Sequence, residues 1–221
     1  MTRFIKLRPN HGVGALVAVA LLCAAACTPR QIAHMLTDTH EPLPTAKRKA
    51  QPARPYLITM VIDNAPGPFA SIEGIAQFDV ENESQCGYIN PHSGVSERIT
   101  SNERFPVRKV ADNHYEGVMY ADLMQDEDYF GRGVCRWQLT EVRFALMATG
   151  AAAETTFVPR IDAQDILAEA STKQYFAKAA YPRAPTVDGY GHSGDRRDQF
   201  GPSIKDSDLF TIALSAKDTT P

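Results

Sequence analysis

Long apolar runs are scarce in this sequence, and so are cysteine, tryptophan and an excess of charge of one sign. The longest apolar stretch, Val13–Ala26, has 14 residues. As a helix it covers roughly 21 Å, short of the roughly 30 Å hydrocarbon core of a bilayer, so it does not read as a permanent span. The formal net charge is only −3, and no basic surface points to nucleic acid. The 14 glycines follow no triplet period, which excludes a collagen-like chain. No phosphate-cradling glycine loop, dinucleotide fingerprint, zinc-binding histidine pair or Cys-x-x-Cys motif occurs. There is no heptad series and no internal repeat. With 43% hydrophobic residues the composition is still that of a folded chain, and 221 residues accommodate one domain plus a tail.

What is present begins at the N-terminus. Arg3, Lys6 and Arg8 supply positive charge with no acidic residue, and the apolar run ends in Ala24-Ala25-Ala26-Cys27. A basic start, an apolar centre and a small-residue end are the three parts of a secretory signal. The small residues ahead of Cys27 resemble the lipobox of bacterial lipoproteins, with Ala24 where that motif usually has Leu. The resemblance implies removal of residues 1–26, acylation of Cys27, and a membrane attachment that leaves the rest in the periplasm of the cell envelope. Thr28 in place of Asp points, by the sorting rule of Gram-negative lipoproteins, to the outer membrane. Two alternatives use the same residues. One is ordinary cleavage at an Ala-x-Ala site, leaving Cys27 as a free N-terminus. The other is an uncleaved N-terminal anchor.

Residues 28–55 read as a tether. Pro29, Pro42, Pro44, Pro52 and Pro55 fix φ and remove donors, so neither a helix nor a central strand is expected. As a flexible chain the segment has a reach of roughly 30 Å. Arg30, Lys47, Arg48, Lys49 and Arg54 against Asp38 and Glu41 give it a net +3. That charge is either attracted to anionic headgroups or simply solvated. Residues 56–221 hold 15 basic and 24 acidic residues, net −9. Such a domain is repelled by an anionic membrane and steers basic partners.

That domain reads as mainly β. Tyr56–Ile62 is β-branched and stops at Asp63-Asn64-Ala65-Pro66-Gly67-Pro68. Ile72–Val80 alternates, and Phe105–Ala111 with His114–Met124 suggests a hairpin turning at Asp112-Asn113. In Val134–Ala148 the apolar parity changes from Cys135, Trp137 and Leu139 to Val142, Phe144, Leu146 and Ala148. Both halves face one core only if a bulge near Thr140-Glu141 absorbs the change. Glu154–Val158 and Leu209–Ala216 complete the strands. The 81–104 and 187–202 stretches read as polar loops, and 162–180 as one or two short helices opened by Asp162. The fold class is an antiparallel β-sandwich or barrel with one peripheral helical segment.

With Cys23 removed and Cys27 acylated, Cys86 and Cys135 remain as a pair in an oxidising compartment, and a disulfide is expected. Trp137, on the same face as Cys135, is expected to pack against it. Asp122, Asp126, Glu127 and Asp128 beside Tyr129 and Phe130 make the candidate interaction surface, since carboxylates next to aromatics suit a basic protein partner. As a calcium loop the same stretch lacks a third oxygen ligand at Phe130 and a closing acid. Gly191-His192-Ser193-Gly194-Asp195 imitates a nucleophile elbow but has Asp195 where the second glycine belongs, and no strand–turn–helix context. No catalytic residue, cofactor or metal is assigned. Three readings follow: a protein-binding module of inhibitor or immunity type, a structural or assembly subunit of an envelope complex, and an envelope hydrolase with a non-local active site. The lipobox reading has a direct test. Cys27→Ala should release the protein from the membrane fraction or block its processing, as followed by fractionation and intact mass.

Overall fold

Alternating apolar residues become strands in the computed structural model, which describes residues 44–90 and 92–221. The signal-like segment, Cys27 and the first part of the tether lie outside the described residues. In β1 (Pro55–Asp63), Tyr56, Ile58, Met60 and Ile62 are buried while Leu57, Thr59 and Val61 are half-buried. In β2 (Ser71–Val80), Gly74, Ala76, Phe78 and Val80 face inward. β6 (Trp137–Met147) buries Leu139, then Val142, Phe144 and Leu146. The change of parity is absorbed where expected. Phe78 pairs with Leu139 and Gln77 with Glu141, so Thr140 is the extra residue of a bulge. Its hydroxyl donates to the Gln77 carbonyl at 3.1 Å.

Two sheets result. One has the order β4-β5-β1-β11-β9, all antiparallel, with β4 (Val107–Ala111), β5 (His114–Tyr120), β9 (Ser171–Ala177) and β11 (Leu209–Asp218) flanking β1. The other has the order β10-β7-β6-β2-β3. It contains β3 (Thr100–Phe105), β7 (Thr156–Phe157) and β10 (Gly191–His192), and β8 (Arg160–Asp162) pairs with β6 beside β7. The architecture is a β-sandwich, with a shared core between the sheets. The expected hairpin joins β4 to β5, and Asn113 takes φ +58° at its turn. Between β3 and β4 the chain changes sheets at Pro106. There the Phe105 ring lies over Gly74 of one sheet and Gly117 of the other. A Cβ at either glycine would come within 2.6 Å of that ring.

Three segments differ from the sequence expectation. The 162–180 stretch holds one short α-helix, α2 (Ala163–Leu167), which follows α1 (Glu83–Cys86) in chain order, and ends in a 3-10 turn at Lys178–Ala180. The chain turns at Glu169, φ +53°, and Ser171–Ala177 then forms β9 rather than a second helix. Seven register partners on β11 and the burial of Phe176 against Phe210 outweigh the local helical spacing. The polar 81–104 stretch contains α1 and ends in β3, and the 187–202 loop contributes β10. A buried carboxylate lies between β2 and the start of β3. The Asp79 carboxylate of β2 accepts from Arg98 Nε at 3.0 Å, Gln77 Nε2 at 3.1 Å and the Thr100 hydroxyl. Burial alone would raise its pKa, but these donors outweigh burial and hold it at about 2.

Cys86 and Cys135 are joined, with Cα atoms 5.2 Å apart and a sequence separation of 49. The bond is the centre of a small second core of Val80, Ile99, Tyr129, Phe130 and Trp137, so Trp137 packs where expected. Replacing both cysteines with serine removes a constraint worth about 4 kcal/mol in the loop-entropy picture. Calorimetry under non-reducing conditions should show a melting temperature lower by about 8–16 °C.

Candidate functional site

The carboxylates of the 122–128 segment are not free. Asp122 accepts the main-chain N–H groups of Ala53 at 3.1 Å and Arg54 at 2.9 Å, and the Lys49 ammonium at 3.3 Å. Burial would raise its pKa, but those donors hold it below the ordinary carboxylate range. Asp126 accepts the Trp137 N–H at 2.9 Å, and Asp128 the Arg132 N–H at 3.0 Å. Glu127 pairs with Lys47 at 2.6 Å, and the hydrogen bond to Glu127 raises the Lys47 pKa. The Tyr129 hydroxyl donates to the Gln125 carbonyl at 2.7 Å and accepts from Lys47 N–H at 3.1 Å. Its ring meets Trp137 edge-on at 6.3 Å. Phe130 is half-buried against the disulfide cluster. The structure thus brings the six candidate residues to one end of the sandwich, but the two aromatics serve its packing.

The groups that meet the carboxylates come from the segment read as a tether. The compact unit starts at Pro44, not at Tyr56. Residues 44–54 form a strap across the domain. Lys49 N–H donates to the Leu123 carbonyl at 2.8 Å, Gln125 N–H donates to the Lys47 carbonyl at 2.9 Å, and Arg48 lies opposite Met124 as in an antiparallel ladder. The Arg48 guanidinium pairs with Glu103 of β3, a buried carboxylate that also accepts from the Ser101 hydroxyl. Proline density excluded a helix and a central strand here, as expected. It did not exclude a short edge contact made between the prolines, and charge complementarity supplies one. Glu103 is the functional candidate missed in the sequence. Its only signal was an acidic residue in a strand, and the cation it binds lies 55 residues away.

Beside the strap is an open pocket of about 240 Å³, lined by Lys49, Arg54, Asp122, Asp126, Trp137 and Leu167 among others. The Trp137 indole Nε1 is buried without a hydrogen-bond partner among the described residues. No group of three or more metal-binding side chains converges among the described residues.

The false nucleophile elbow has a structural role. His192 of β10 is buried, with its ring 6.1 Å from Phe157 and 5.1 Å from Phe176, and its Nδ1 accepts the Gly194 N–H at 3.2 Å. Ser193 is exposed, and Asp188 pairs with Arg183. Among the described residues no hydrogen bond joins Ser193 to His192 or Asp188. No family model matches this sequence, and no curated protein or solved structure compared with it does either.

Burial lowers the His192 pKa, and the nearby Asp195 only partly opposes this. The folded state therefore binds a proton less readily than the unfolded chain, whose histidine titrates near ~6.5. Stability present above that pH should fall as pH drops below it. Between pH 7 and 5 the melting temperature should decrease, and His192→Gln should lessen the decrease.

Proposed function

We propose that this chain is an envelope lipoprotein, anchored through acylated Cys27, whose β-sandwich acts by binding a basic protein partner rather than by catalysis. Inhibitor- and immunity-type modules share this layout, a small stapled domain held near a membrane. One observation carries the reading: an extended Lys-Arg-Lys segment lies across carboxylates of β3 and of the 122–127 segment. That surface complements a basic strand in both charge and main-chain hydrogen bonding. Counted from Pro44, the compact unit has 19 basic and 24 acidic residues, net −5, which favours approach of a cationic partner over a range of about 8 Å at physiological salt. Exposed Tyr88, Ile89, Val95 and Val134 occupy the loops around the disulfide, close to the same end. Apolar side chains on pinned loops add contact area at low ordering cost.

The test is a pull-down with the acylated protein from detergent-solubilised envelope. A partner that is retained at low salt and released as salt rises is the expected result. A salt-resistant constitutive assembly would replace the reading with that of a structural subunit, and recovery of no protein at low salt would remove it.

A further inference from the structure

We infer that the groove beneath residues 47–49 is a receptor for an extended basic segment of the partner, and that Lys47-Arg48-Lys49 is its resident occupant, displaced on binding. The inference rests on the protein-binding reading above and specifies the recognition mode.

Two kinds of contact define the ligand. The Leu123 carbonyl and the Gln125 N–H grip main chain, at 2.8 and 2.9 Å, and so hold any extended backbone. Side chains then read charge on both sides of it. Lys47 and Lys49 meet Glu127 and Asp122, while the intervening Arg48 meets Glu103. Successive residues of a strand point to opposite faces, so the groove selects three consecutive cations in extended form. This is strand addition with charge-selective pockets.

The occupant and the groove differ in how firmly they are committed. The side chains of Lys47, Arg48 and Lys49 remain 58%, 59% and 41% exposed. Of residues 44–54, Ala46 packs against the main core. The Lys47 and Lys49 pairs are partly exposed, contribute little each and are screened by salt, so the strap can leave without unfolding the sandwich provided another cation meets Glu103. Below it, Glu103 and Met124 are buried, at 8% and 3% exposure. An empty groove would leave the buried Glu103 carboxylate with the Ser101 hydroxyl alone and two main-chain groups without partners, which is costly. Exchange of one basic strand for another is therefore favoured over simple opening. The tethered strap competes at a high effective concentration, so a partner must add contacts elsewhere.

The experiment uses the full chain and a fluorescent peptide with the sequence of residues 44–55. A strap variant, Lys47→Ser with Arg48→Ser and Lys49→Ser, should bind the peptide at least about tenfold more tightly than wild type, with affinity falling as salt rises. Adding Glu103→Gln and Glu127→Gln should remove the gain. Equal affinity in wild type and strap variant overturns the inference, and so does a gain that survives the two glutamine substitutions. Hydrogen exchange on the wild type gives a check free of mutation. With the peptide in excess the Lys49 amide should lose protection while those of β1 and β11 keep theirs, and unchanged Lys49 protection would mean that the strap is not displaceable. An envelope partner that binds wild type and strap variant equally well would overturn this site while leaving the protein-binding reading intact.

Discussion

Contact between Phe157 of one sheet and the stacked pair Phe176 and Phe210 of the other holds the sandwich closed. The three rings lie 5.2–5.8 Å apart, and Phe69 and Tyr181 close around Phe157. Edge-on and offset contacts of this kind add about 0.5–1.5 kcal/mol per pair beyond the area they bury. Phe176 can reach the cluster only because 171–177 is a strand. Phe157 reaches it because β7 pairs beside the inward-facing Leu146 of β6. His192 lies on the same rings, which is why a polar, glycine-rich loop is drawn back to pair with β7.

The opposite end is built differently. Met124 and Trp137 are the main core's contacts at the loop before β6, and beyond them the small cluster buries only Val80, Cys86 and Cys135. The disulfide supplies what apolar burial does not. It fixes α1 to the start of β6, and Tyr129, Phe130 and Trp137 pack around it. This covalent anchor lets the 122–130 segment present main-chain groups and carboxylates in a fixed geometry despite little regular structure.

Those carboxylates then determine where the N-terminal segment goes. A stretch with net positive charge, next to a domain of net negative charge, is attracted to whichever acidic surface it can reach. The nearest is that of its own domain, where Glu103, Asp122 and Glu127 lie along one edge. If Cys27 is acylated, the spacer between lipid and domain shortens to residues 28–43, because 44–54 belong to the domain. The basic charges are correspondingly spent on the domain rather than offered to headgroups.

Much of the architecture was legible from period-two alternation. β1, β2, β6 and β11, the β4–β5 hairpin and the bulge follow from residues close together in sequence, and the Cys86–Cys135 bond from there being two cysteines left to pair. β3 and β9 were not legible. Thr100–Phe105 is polar because it is an edge strand carrying Glu103 and Arg104, and Ser171–Ala177 has apolar spacing that suits a helix as well as a strand. Their identity is decided by β2 and β11, to which they hydrogen-bond. The candidate loop was found by composition, but its pairing with the strap was not, because opposite charges 73 and 80 residues apart say nothing of their meeting until the fold brings them together. By itself the sequence determined the strand faces and the acidic character of one segment, which depend on neighbours along the chain, and the staple, which depends on the number of cysteines left to pair. Tertiary structure alone decided that a basic strap occupies that segment, because ion pairs and main-chain ladders between distant residues exist only once both sides are held in place.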